Sequence, residues 1–315
     1  MQQWQPCSSL ELIKQRALLL TRARDFFHNN NVLEVETPLL AAHTVTEPNI
    51  ESIRVALPDN DKYLQTSPEY AMKRLLAAGV PDCYQICKAF RLHENGTQHN
   101  SEFTLLEWYR LDYDLQQIIQ DTLNLLRHMS DLLPLHTIIS YQQALHDALG
   151  ISLADLSRAC LIEHAQAHGM VSSDQLSDAQ LCDFVFAKCV TAHFSAEGLT
   201  VVYGYPASQA ALAQLNTDAP ATADRFEVFL QNLELANGYV ELTDPVAQLA
   251  RLQKEQAQRA AMGLPEVQID QRLQAALAAG LPPCAGVALG LDRVLMAVNE
   301  NLDIGQVVSF DWHHA

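Results

Sequence analysis

Strand-like segments recur along this chain without regular βαβ alternation, and that spacing favours a mostly antiparallel sheet. "VLEVETPLL" (Val32 to Leu40) reads as a strand halted by Pro38, and "CYQICKAF" and "FTLLEWY" follow as two more. Strand signals return only at "TVVYGYPA", "RFEVFLQNLELANGYVELTD" and "GVALG". The separating segments are of unequal length, so the expected class is α+β, a mostly antiparallel sheet flanked by helices. Helices are expected from a Ser8/Glu11 capping box to Asn29, from a Ser67 cap with Pro68 in the first turn to Gly79, from Asp244-Pro245 to Gly263, and from Asp270 to Gly280. Between about Asp114 and Phe194 the helical patterns Leu115–Leu133, Tyr141–Leu149, Leu153–His168 and Gln175–His193 follow one another, as in a helical insertion.

Hydrophobic residues are 49% of the 315, enough for a globular core. The formal net charge of −17 argues against a general nucleic-acid binder. The longest uncharged run, Ala275 to Leu291, is broken by Gly280, Pro282, Pro283, Gly286 and Gly290, so no spanning helix is expected. The N-terminal stretch has no basic segment followed by an apolar one, so no signal peptide is expected. The seven cysteines have neither a disulfide framework nor zinc-ligand spacing. Reduced, buried thiols in a cytoplasmic protein are the reading that fits.

The stretch "FRLHENGTQHNSEFTLLEWY" (Phe90 to Tyr109) is too charged for a core strand and too aromatic for a loop. In a strand of period two, Phe103, Leu105, Glu107 and Tyr109 share one face. Glu107 is then either a structural carboxylate paired with an arginine or the receiver of a cationic ligand. If "EVFLQNLEL" turns tightly at Gln231-Asn232, Glu227 and Glu234 become diagonal neighbours, roughly 5 to 8 Å apart. They are two solvated acids or a magnesium site. Strict alternation would put Asn237 and Glu241 on the face opposite Glu234, unless Gly238 marks a bulge. "GVALGLDR" is a plain strand-to-helix turn, or a place where a nucleotide lies against backbone with Arg293 on a phosphate. Together these pieces call for an anion near Arg91, His99 and Arg293, a divalent cation at Glu227 and Glu234, a planar ring at Phe103, and an ammonium near Glu69, Glu107 and Glu241. ATP, magnesium and a basic amino acid satisfy all four.

At these residues the chain resembles the catalytic core of class II aminoacyl-tRNA synthetases, lysyl-tRNA synthetases in particular, over nearly its whole length. "NNVLEVETPLL" is similar to class II motif 1, "FRLHENGTQHNSEF" to motif 2 and "GVALGLDR" to motif 3; "TSPEYAMKRL" and "ELANGYVELTDP" match lysine-type stretches. The resemblance implies that Arg91 holds the α-phosphate and the substrate carboxylate. It implies that His99 and Arg293 reach the outer phosphates, and that Phe103 and Arg293 enclose the adenine. Asn100, Leu235 and Gly290 would lie along the nucleotide. Glu227 and Glu234 would hold Mg2+. Glu69 and Glu107 would receive the backbone-side amine of the substrate, and Tyr109 and Glu241 its terminal ammonium, with Asn237 nearby; Ser67 and Ala288 would also line the substrate site. Motif 1 implies a homodimer.

A lysyl-tRNA synthetase carries an N-terminal anticodon-reading domain, and none is expected here, because the first core helix begins near Ser9. The expectation is one catalytic domain over residues 1–315, with the helical insertion at about 114–194 and no stable tRNA binding. This shortened plan resembles the truncated lysyl-tRNA synthetase paralogues that attach (R)-β-lysine to elongation factor P. "SPEYAMKRLL", "HNSEFTLLEWYRLDYD", "YPASQAALAQL" and "DRFEVFLQNLELANGY" are close to their pattern, and Ala288 stands where lysyl-tRNA synthetases usually have glycine. The implied activity is ATP-dependent formation of a β-lysyl or lysyl adenylate, and its transfer to a lysine side chain of elongation factor P. The alternatives are a weakly catalytic nucleotide or amino-acid sensor, or a ligase acting on tRNA. The chain departs from the pattern at His93, where motif 2 normally has a carboxylate for the adenine amino group. Either His93 accepts through a ring nitrogen, or Glu94 substitutes, or ATP selection is weaker. Ser101 stands where proline is usual.

Overall fold

In a computed structural model the chain is described over residues 4–171, 173, 176–219, 221–299 and 302–315. Met1–Gln3, the start of the stretch read for a signal peptide, and Gln175, the expected first residue of a helix, lie outside the described residues. The strands are β1 (Leu33–Glu34), β2 (Leu40–Ala41), β3 (Arg54–Val55), β4 (Lys62–Leu64), β5 (Cys83–Phe90), β6 (Glu102–Leu111), β7 (Leu135–Ser140), β8 (Leu199–Tyr203), β9 (Arg225–Leu230), β10 (Leu233–Val240) and β11 (Cys284–Gly290). The helices are α1 (Leu10–Asn29), α2 (Glu69–Ala77), α3 (Leu115–Met129), α4 (Tyr141–Leu149), α5 (Arg158–Ala167), α6 (Asp178–Val185), α7 (Pro245–Ala261), α8 (Gln271–Gly280), α9 (Leu291–Ala297) and α10 (Ile304–Val307).

Eight strands form one sheet in the order β1-β5-β6-β11-β10-β9-β8-β7. Every pairing is antiparallel except the two at the edges, β1 with β5 and β7 with β8. The architecture is therefore the expected α+β one. β2, β4 and β3 form a small separate sheet. Packing of α1, α3 and α9 on one face of the large sheet buries Phe27, Trp108, Leu106, Ile118, Leu126, Phe226 and Val294. Phe27 stacks on Tyr84 with ring centroids 4.3 Å apart. The other face of β6, β11, β10 and β9 is left to line a cleft.

Several local expectations are corrected. Ser9, not Ser8, caps α1 by accepting from the Leu12 amide, and Ser8 is buried. Pro68 occupies the cap position of α2 and its carbonyl accepts from Met72, so Ser67 is released to face the cleft. The stretch from Val32 to Leu40 is not one strand: only Leu33–Glu34 pairs with β5, and Leu40–Ala41 joins the small sheet. Residues 114–194 are not wholly helical, since Leu135–Ser140 forms the edge strand β7, and α3 packs on the main core rather than standing apart. The Gln175–His193 pattern starts its α-helix at Asp178, capped by Ser177, and passes through a π turn at Phe186–Val190.

Candidate active site

Strand register assembles the floor of the cleft. Glu107 of β6 lies opposite Ala288 of β11, which lies opposite Asn237 of β10, which lies opposite Glu227 of β9. The next row along the strands is Tyr109, Gly286, Tyr239 and Arg225. All eight residues line one cleft of about 860 Å³. A register shift between Glu234 and Ala236 makes this possible. The bulge at Leu235 turns that side chain into the core and brings Asn237, Tyr239 and Glu241 to the same side as Glu234. Gly238 is not the bulge. It is required because a Cβ there would come within 2.6 Å of the Phe226 ring.

At the deep end, α2 delivers Glu69 and Lys73 one turn apart. The Lys73 ammonium is 2.7 Å from Glu69 and 2.6 Å from Glu241, and it is almost fully buried. Tyr239 donates to Glu69 at 2.8 Å, and Tyr109 donates to Glu107 at 2.7 Å. The other oxygen of Glu107 is buried without a hydrogen-bond partner. Gly286 leaves the space above: a Cβ there would lie 2.5 Å from the Tyr109 ring and 2.6 Å from Glu241. Burial, reinforced by the Glu69 charge, pushes both Glu107 and Glu241 up to about 8, although Lys73 pulls each of them down. One ammonium does not neutralise three carboxylates in a low-dielectric pocket, so the cluster holds on to protons while Lys73 stays charged.

At the other end, Arg293 donates to the Glu234 carbonyl at 2.9 Å and to His99 Nε2 at 2.8 Å, and its guanidinium is 3.4 Å from the Glu234 carboxylate. Burial and then the Arg293 charge hold His99 below its ordinary pKa, so the ring is a neutral acceptor. The Arg91 guanidinium lies 5.0 Å from the Phe103 ring centroid and 3.7 Å from Glu94. Glu227 accepts from Tyr205 at 2.7 Å and pairs with Arg225. Burial raises Glu227 to about 7, against the pull of Arg225 and with a push from Glu234.

Comparison with known proteins fits this geometry. The profile of the family described as tRNA synthetases class II (D, K and N) matches residues 5–312. The chain belongs to that class II synthetase family. Among curated proteins it is 40% identical to an elongation factor P–(R)-β-lysine ligase of Haemophilus ducreyi, over 98% of this chain and 95% of that protein. It is 41% identical to ligases of the same name from Mannheimia succiniciproducens, over 99% and 98% of the two chains, and from Salmonella paratyphi A, over 98% and 97%.

Of the stretches that resemble class II motifs, the first (30–40) follows α1 and runs through β1 to the start of β2, the second (90–103) covers the end of β5, its loop and the start of β6, and the third (286–293) covers most of β11 and the start of α9. Of the expected site residues, Ser67, Glu69, Arg91, His99, Glu107, Tyr109, Glu227, Glu234, Asn237, Glu241, Ala288 and Arg293 line the single cleft. Phe103 and Gly290 adjoin it through Arg91 and Arg293. Asn100 is buried, donates to the Glu102 carbonyl and accepts from the Trp312 amide. His93, at φ 66°, carries its ring outward beside Glu51, whereas Glu94 faces Arg91. Ser101 is fully buried and donates to Asn95, which ties the motif 2 loop without a proline. Lys73, Tyr239, Gly286 and Arg225 were not expected from the sequence. Only the Glu69-to-Lys73 spacing on one helix face hinted at any of them.

Proposed function

We propose that the chain activates (R)-β-lysine with ATP, forming an aminoacyl-adenylate, and passes the acyl group to a lysine side chain of elongation factor P. The observation that carries this is the cleft's two-ended charge. Glu69, Glu107 and Glu241 surround Lys73 at one end, and Arg91, His99 and Arg293 stand at the other. A diamino acid brings two ammoniums to the acidic end and turns its carboxylate toward the basic end. ATP is the nucleotide of this family, and the ligases similar to the chain carry the substrate and the acceptor in their name.

In the first step an oxygen of the substrate carboxylate attacks the α-phosphorus, the bond to the β-phosphate oxygen breaks, and pyrophosphate leaves. Arg91 meets the charge that grows on the α-phosphate, and His99 with Arg293 steadies the leaving group. Glu227 and Glu234 fit Mg2+: both are carboxylates that line the same cleft, oxygen donors of the kind the ion takes, and the Glu234 charge is close enough to push Glu227 up. The ion would neutralise phosphate charge there. In the second step a neutral ε-amine attacks the acyl carbon, AMP leaves, and the amine proton passes to solvent. Ala288 lines the cleft between Glu107 and Asn237, where its methyl would favour an amine moved from the α to the β carbon by about 1–3 kcal/mol. Glu94 takes the adenine amino group in place of His93.

The cysteines are all unpaired, which supports a cytoplasmic setting. No helix among the described residues is long and apolar enough to cross a membrane. Leu10 and Leu18 of α1, Leu33 of β1 and Leu39 after it are exposed, which supports a homodimer formed through motif 1. We read the helices from Tyr141 to His193 as an insertion on one catalytic domain. The deciding experiment is ATP–pyrophosphate exchange with (R)-β-lysine and with lysine, followed by transfer of labelled amino acid to elongation factor P or to tRNA. Exchange favouring (R)-β-lysine and label on elongation factor P is the expected result. Absence of exchange with either amino acid, or label on tRNA alone, overturns the proposal.

A further inference from the structure

Away from the cleft, the segment ahead of α1 meets the segment after α10. The Cys7 amide donates to the Ser309 carbonyl at 2.8 Å. This brings the Cys7 thiol, a carboxylate oxygen of Asp311 and a ring nitrogen of His314 within 4.8 Å of one another. It is the one grouping of three such ligand types among the described residues. The Asp311 carboxylate is held in place by the amides of His313 and His314, at 2.9 and 3.0 Å, and by His314 Nδ1 at 2.7 Å. Cys7 and Asp311 are half-buried and His314 is exposed, so an ion has access from solvent on one side.

The geometry points to a binding site for a divalent transition metal of the zinc class, with Cys7, Asp311 and His314 as ligands and water in the fourth position. Sulfur, nitrogen and carboxylate oxygen are the three donor types that zinc accepts, at bond lengths of about 2.0–2.3 Å. The donors close inward by side-chain rotation about an anchored backbone. Thiolate and imidazole exclude magnesium and calcium, which take oxygen ligands. On binding, the Cys7 thiol gives its proton to solvent and the ion takes its place. The site would fasten the segment ahead of α1 to the segment after α10. It would also steady the tail that touches the motif 2 loop twice, through the Ile304 amide on the Thr97 carbonyl and the Trp312 amide on Asn100.

The test is Co2+ titration of the full, untagged, chelator-treated chain, read by absorption and followed by displacement with Zn2+. A thiolate-to-cobalt charge-transfer band that saturates near about one equivalent, with the visible bands of a four-coordinate ion, is expected. Cys7→Ser removes the near-ultraviolet band. His314→Ala weakens Co2+ binding by about tenfold or more. Cys160→Ser, which changes another partly exposed thiol, leaves the titration unchanged. Circular dichroism confirms that each variant is folded. Absence of the thiolate band in the parent chain, or a band of the same strength in Cys7→Ser, overturns the proposal.

Discussion

At the scale of single residues, the alternation in "FTLLEWY" was enough to put Glu107 and Tyr109 on one face, and the structure has both on the cleft floor. Lys73 was not legible, because a lysine on a helix ordinarily carries its charge out to water. Only the tertiary placement of Glu241 draws it inward. The raised Glu107 and Glu241 make substrate capture depend on pH. Below about 7 both stay largely protonated and pair poorly with an ammonium. Affinity for the diamino acid should therefore rise from pH 6 to pH 8, with proton release, and calorimetry in buffers of different ionisation enthalpy reads both effects. The sign for stability is opposite. The unfolded carboxylates ionise near their ordinary value of 4.5, while the folded ones hold their protons to about 8. The ligand-free protein should lose stability as pH rises through that window, and bound substrate should reduce the loss. The motif 2 departure is a second residue-scale question. Glu94→Gln should raise the KM for ATP by about 10- to 100-fold, and His93→Ala should change it little; steady-state exchange kinetics would separate them.

At the scale of elements, most helix limits were readable from caps and glycines, as α4, α7 and α8 show. What failed to show was anything set by a neighbour. "LHTIIS" lay inside a run of helical patterns, and only pairing with β8 makes it a strand. The sequence leaves open whether Gly238 marks a bulge in β10, and the structure has the bulge at Leu235 instead. A glycine in a strand signals either a bulge or a close contact, and sequence does not separate the two. Here the contact is the Phe226 ring. Gly238→Ala should therefore destabilise by about 1–3 kcal/mol through overpacking, and thermal unfolding should show a lower Tm. Recovery in the double variant Gly238→Ala with Phe226→Leu would tie the loss to that ring.

At the scale of the whole molecule, the antiparallel character of the sheet followed from the irregular spacing of its strands, whereas the strand order and the two parallel edges did not. Those depend on which hydrophobic faces find each other over long sequence separations. Dimerisation belongs to this scale too. Sedimentation at micromolar concentration should give twice the 35.0 kDa chain mass, and Leu18→Glu on α1 should shift the species toward the monomer. A single strand, β11, runs from Gly286 in the acidic pocket to Gly290 at the turn that carries Arg293. Four residues of extended chain cover roughly 13 Å. In the proposed binding mode that strand would be a fixed ruler between amine and phosphate, and homologues of the diamine one methylene longer or shorter would be measured against a length the backbone does not adjust.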